Sequence, residues 1–130
     1  MSAASDYLED AVLDHVLGNT TYTPASTLYV GLWTADDGLE SGTITSEVSG
    51  GSYARQSVTF GAASSGSASN SATVTFPAAT ANWGTITHVA VMDAATSGNV
   101  IFHGAVTASK TIESGDTFQI SSGNLTISLA

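Results

Sequence analysis

A chain of 130 residues is long enough for one hydrophobic core and too short for several. Only 10% of it is charged, against the usual quarter, and its formal net charge of −9 sets it against nucleic acid phosphate and anionic membrane. With no cysteine there is no disulfide, no thiolate metal site and no cysteine nucleophile, so stability must come from packing and assembly.

A monomeric surface normally carries many more charges to resist association. A surface this sparsely ionised suits burial against neighbouring subunits. The acids are unevenly placed: Asp6, Glu9, Asp10, Asp14, Asp36, Asp37, Glu40 and Glu47 all precede residue 48. The negative field therefore belongs to the N-terminal third. It suits a solvated acidic face or a contact with a basic partner surface. No apolar run is long enough to span a bilayer. The first residues, MSAASDYLED, lack the basic and apolar regions of a signal peptide, which points to maturation in a cytoplasm.

Ser5–Leu17 reads as the one helix. Leu8, Ala11, Val12, His15 and Val16 follow the i, i+3, i+4, i+7, i+8 rule. Ser5 or Asp6 can cap its start, and Gly18 can end it as C′. So short a helix is marginal alone, and its apolar stripe must dock on the end of the sheet or on a neighbouring subunit. Residues 1–18 are expected to form a helical arm, removable without unfolding a β domain of residues 27–130.

Asn19–Ser26 is a polar connection. Thr27–Thr34 reads as a strand with Leu28, Val30 and Leu32 on one face and Tyr29, Gly31 and Trp33 on the other. Ala35–Ser52 is the longest irregular piece, of a length that is usually functional or ordered by a partner. Tyr53–Phe60 is a second strand. Gly61–Asn70 is a small-residue hairpin arm or loop. Ser71–Phe76 runs to Pro77, which marks a strand end.

Thr85–Asp93 is the central strand, with Ile86, His88, Ala90 and Met92 opposing Thr87, Val89 and Val91. In Val100–Val106, Val100, Phe102 and Val106 oppose Ile101, His103 and Ala105. Lys110–Ile112 and Thr117–Ile120 flank the turn Glu113-Ser114-Gly115-Asp116, and Leu125–Leu129 closes the chain. Seven to eight short antiparallel strands with turns at this spacing argue for an all-β, single-domain β-sandwich or small barrel, with one short N-terminal helix.

No catalytic pattern stands out. His88 and His103 lie on adjacent strands and could meet as a hydrogen-bonded pair, without the spacing of a zinc site. Asp36, Asp37 and Glu40 are the densest carboxylates but lack the ordered calcium-loop signature. Neither G-x-S-x-G nor a phosphate-binding Gly-rich loop with lysine occurs. The expectation is a protein that is not an enzyme and needs no cofactor or metal. Its expected partner contacts are Leu8 and Val12 on the helix, Asp36, Asp37 and Glu40 on the long loop, and the aromatics Trp33 and Tyr53.

Several segments resemble a family of tailed-bacteriophage virion structural proteins. These are Tyr7–Leu17 (YLEDAVLDHVL), Leu28–Ala35 (LYVGLWTA), Glu47–Phe60 (EVSGGSYARQSVTF), Ala68–Trp83 (ASNSATVTFPAATANW), Gly84–Asp93 (GTITHVAVMD) and Gly98–Val106 (GNVIFHGAV). Lys110–Phe118 and Leu125–Leu129 follow the same pattern, so the resemblance runs in order over nearly the whole chain. Members are often loosely labelled tail fibre proteins. Some resemble capsid decoration or cement proteins, which sit on the outer shell as trimers. The resemblance implies no catalytic residues. It implies partners in the major capsid protein and in further copies of the chain as a homotrimer, with neither nucleic acid nor membrane bound. The expected location is the capsid surface of a virion assembled in the bacterial cytoplasm, with a tail fibre or tail-tip role in host contact as the alternative.

Overall fold

The computed structural model describes residues 3–129. Five antiparallel strands form the main sheet, in the order β1 (Ala3–Ala4), β7 (Val100–Ile112), β6 (Gly84–Met92), β2 (Leu28–Trp33) and β3 (Gln56–Val58). Two small ribbons lie apart from it: β4 (Ser67–Ser69) with β9 (Thr126–Ser128), and β5 (Val74–Thr75) with β8 (Gln119–Ile120). The sheets do not close into a barrel, and the fold is that of a sandwich.

The alternation in β2 decides how the layers are built. Val30 and Leu32 are wholly buried in the front core, where Ile112 joins from the end of β7 and Phe76, Trp83, Phe118 and Leu125 arrive from the segments around the ribbons. The aromatic rings there meet edge to face, Phe76 with Trp83 at 6.5 Å and with Phe118 at 5.8 Å. Trp33 and Tyr29 point the other way. Trp33 forms a smaller back core with Leu39, Ala90, Met92 and Val100, with Ile44 packed against it. The cover of this back face is irregular: the 35–48 segment, with a single 3₁₀ turn at Leu39–Ser41, and α1 (Asp6–Val16) beside it.

Two irregularities in the β6–β7 pair break the expected alternation. Ile86 pairs with Lys110 but His88 pairs with Ala105, so β7 bulges over Val106–Ser109. Ile86 thus joins Val89 and Val91 on the front face, away from His88, Ala90 and Met92. Near the other end, Val91 pairs with Phe102 and Met92 with Val100, which leaves Ile101 as an extra residue. Val100 therefore enters the back core while Phe102 packs on the front one. A one-residue slip turns every following side chain over, and bulges apply that slip within a strand. The Val106–Ser109 bulge also spoils the outer edge of β7 as a template for another strand.

Residues 3–16 are built into this sheet rather than hung from it. Ala3 and Ala4 pair with His103 and Phe102, and the Ser5 N–H donates to Ile101 O at 3.0 Å. The buried Ser5 hydroxyl donates to Val100 O and accepts from Leu8 N–H, so one side chain caps the helix and ties it to β7. Gly18 takes φ +79° just past the end of the helix, as its C′ role requires. Within the expected arm of residues 1–18 lie an edge strand, a helix cap and the buried Leu8, all of which a cut at residue 18 would take away.

Candidate interaction surfaces

The long irregular segment is stapled to its own domain by its acids. One Asp36 carboxylate oxygen accepts from Gly38 N–H and Leu39 N–H, both at 3.0 Å. These two backbone donors hold the carboxyl below its usual pKa, although the side chain lies at the surface. Asp37 accepts from the hydroxyls of Thr45 and Ser46. Glu40 sits 3.2 Å from His103 Nε2. These contacts seat Leu39, fully buried, over Trp33.

Glu47 is the strongest staple. Arg55 grips it with Nε and Nη2, both at 2.8 Å, while Arg55 Nη1 donates to Ala94 O and Ser97 O at the same distance. The Tyr53 hydroxyl donates to the Glu47 carboxylate at 2.7 Å and accepts from Leu32 N–H at 3.0 Å. Burial, reinforced by the Glu47 carboxylate, pushes that phenol far above its usual range. Burial works against the Arg55 charge, yet Glu47 outweighs it and holds the guanidinium above its ordinary value. Backbone gives way at this point because no Cβ fits: one on Gly31 would lie 2.8 Å from Trp33 Cζ3 and 2.9 Å from the Tyr53 hydroxyl.

The expected partner residues therefore divide. Trp33 is 0% exposed in the isolated chain, and its strand face is the back core. The Tyr53 ring packs on Phe76 and Trp83, and its hydroxyl is consumed by the Glu47 staple. Asp36 and Asp37 stay exposed but hold their own loop, and Glu40 is half-buried against His103. Leu8 is buried and Val12 half-buried because both face inward, onto this domain's own sheet. Nor do His88 and His103 form a pair: His88 Nδ1 lies 2.9 Å from Thr87 Oγ1, and His103 faces Glu40.

What faces outward on α1 includes Val16, the exposed end of the predicted stripe, and two residues off it, Leu13 and Leu17. Leu13, Val16 and Leu17 are 56%, 70% and 76% exposed. They stand at i, i+3 and i+4, side by side on the helix surface. The acids Asp6, Glu9 and Asp10 are exposed on the preceding turns. Next to them a cleft of about 320 Å³ is lined by Tyr7, Asp10, Asp14 and Tyr22 among others. Partial burial, with Tyr7 and Asp93 nearby, raises the Tyr22 phenol pKa. The return of the chain makes this cleft, as Tyr22 N–H donates to His15 Nδ1 at 3.1 Å. Periodicity could have found Leu13 and Leu17 only as residues that the apolar stripe leaves over.

Two further features are chemical possibilities without a ligand-directed group. The carboxylates of Asp6, Glu9 and Glu40 can lie within 4.8 Å of one another, an arrangement common among exposed acids. An apolar groove of about 270 Å³ runs between the main sheet and the β4–β9 ribbon, bounded by Leu28, Phe60, Phe102, Ile127 and Leu129.

No curated protein matches the chain. A family model described as Podophage GP4 fiber I protein gp80 matches residues 3–128, nearly the whole length. The chain belongs to this family of phage virion structural proteins, loosely called tail fibre proteins.

Proposed function

We propose that this chain is a non-enzymatic capsid decoration protein, seated on the outer head shell against the major capsid protein and present as a homotrimer. The observation that carries the reading is the exposed apolar end of α1 on a domain with so few charges. Leu13, Val16 and Leu17 are 56%, 70% and 76% exposed and neighbour one another on the helix surface. The largest exposed apolar patch of a domain is often its functional one, and three of the five large hydrophobics exposed among the described residues meet here. The acids and the buried cation that meet inside the domain saturate one another, which favours a structural role over a catalytic one. A bracing protein gains from repetition, since each copy need bury only a modest area when many act together.

A second reading, a tail fibre or tail-tip element that contacts the host surface, is favoured by the word "fiber" in the family description. Imaging intact virions with a labelled copy of the chain separates the two. Copies spread over the head are the expected result. A few copies at the tail end would replace the first reading with the second, and a chain absent from particles would overturn both.

A further inference from the structure

We propose that the outward face of α1 docks this domain onto a different virion protein, one that offers an apolar socket rimmed by Lys or Arg. The inference rests on the virion role proposed above and names the surface that serves it. Leu13, Val16 and Leu17 are the knob for the socket. The carboxylates beside them are the partners of the rim.

Charge complementarity decides between a second copy and a different protein. Asp6, Glu9 and Asp10 carry no hydrogen bond or ion pair from their side chains among the described residues, unlike the acids of the 35–48 segment. The chain has one lysine and one arginine in all. Arg55 is buried on Glu47, which leaves Lys110 as the one exposed lysine or arginine among the described residues. A second copy at −9 would bring acids to acids, and its apolar groove is lined by no cation. Socket and rim must therefore come from a more basic surface. The neighbouring cleft fits the same partner. Asp10 and Asp14 present carboxylates and Tyr7 and Tyr22 present rings, a setting for the head of one Lys or Arg side chain. Apolar anchors surrounded by charges divide the work in the usual way, the anchors setting the dissociation rate and the charges the encounter rate.

The test uses the full chain and purified phage particles assembled without it, with binding followed by co-sedimentation across a salt series. Wild type should bind, and its affinity should fall as salt rises. Leu13→Ser with Leu17→Ser should weaken binding at least tenfold. Asp10→Asn with Asp14→Asn should weaken it severalfold at low salt and flatten the salt dependence. All four positions are at the surface, so thermal melts should match wild type and confirm folded variants. Wild-type binding that both double variants retain would overturn the inference and leave the virion role standing. Loss of self-association in the variants, with particle binding intact, would make a second copy the occupant and also overturn it. Wild type that binds no particle would end both.

Discussion

Two sets of carboxylates share the N-terminal third of the chain and do opposite work. Those of the 35–48 segment turn inward: Asp36 to Gly38 and Leu39, Asp37 to Thr45 and Ser46, Glu47 to Arg55 and Tyr53. Those of α1 face water. The difference follows from what each segment must cover. An irregular segment over a small back core has backbone donors that no ladder satisfies, and carboxylates are strong acceptors for them. A helix satisfies its own backbone, so Asp6, Glu9 and Asp10 make no staple and Asp14 meets only the exposed Asn19 amide, at 3.4 Å. One negative field in the sequence is thus a set of staples and a separate set of acids exposed to solvent.

The Arg55–Glu47 pair is the sharpest way to test that division. Arg55→Ala leaves the mostly covered Glu47 without its cation and frees the Ala94 and Ser97 carbonyls, so it should cost about 3 kcal/mol in denaturant unfolding. A loss near zero would mean that the segment is held by its apolar contacts alone. Gly31→Ala should follow at about 1–3 kcal/mol, because the new methyl strikes Trp33 and the Tyr53 hydroxyl where neither can retreat.

Asp36→Ala should cost about 1 kcal/mol, as for the loss of a cap. Here the pH dependence is decisive. The folded pKa lies below the ordinary 3.8, so the contribution is full above that value. It fades as the pH falls through the lower folded value, because the unfolded state binds the proton first. The gap between wild type and variant should therefore close on acidification. Least affected should be Asp10→Asn, within about 0.5 kcal/mol of wild type in the same unfolding assay, because no intrachain partner is lost. A larger loss there would erase the contrast between the two acid sets.

Much of the architecture was legible in short-range chemistry. Ser5 and Gly18 marked the ends of the helix because capping is a matter of a few adjacent residues. The alternation in Leu28–Trp33 announced a strand with apolar groups on both faces, and the structure packs a core on each. Gly61–Asn70 left β4 hidden, since Ser and Ala at its positions have no strand signature; β9 supplies the reason for that strand. Ala3–Ala4 became a strand for the same reason, through its register with His103 and Phe102. Lys110–Ile112 fused with the preceding strand because the bulge carries the chain across without a turn.

By itself the sequence determined the strand-rich class, the helix and its caps, the scarcity of charge and the membership of a phage structural family, all of which depend on local pattern or on matched residues. Tertiary structure alone decided where the bulges turn faces over, why Trp33 is buried, and which acids are staples and which are free. The physical reason is that a residue's periodicity says which side of its own element it occupies, whereas only the packed neighbours say what covers that side.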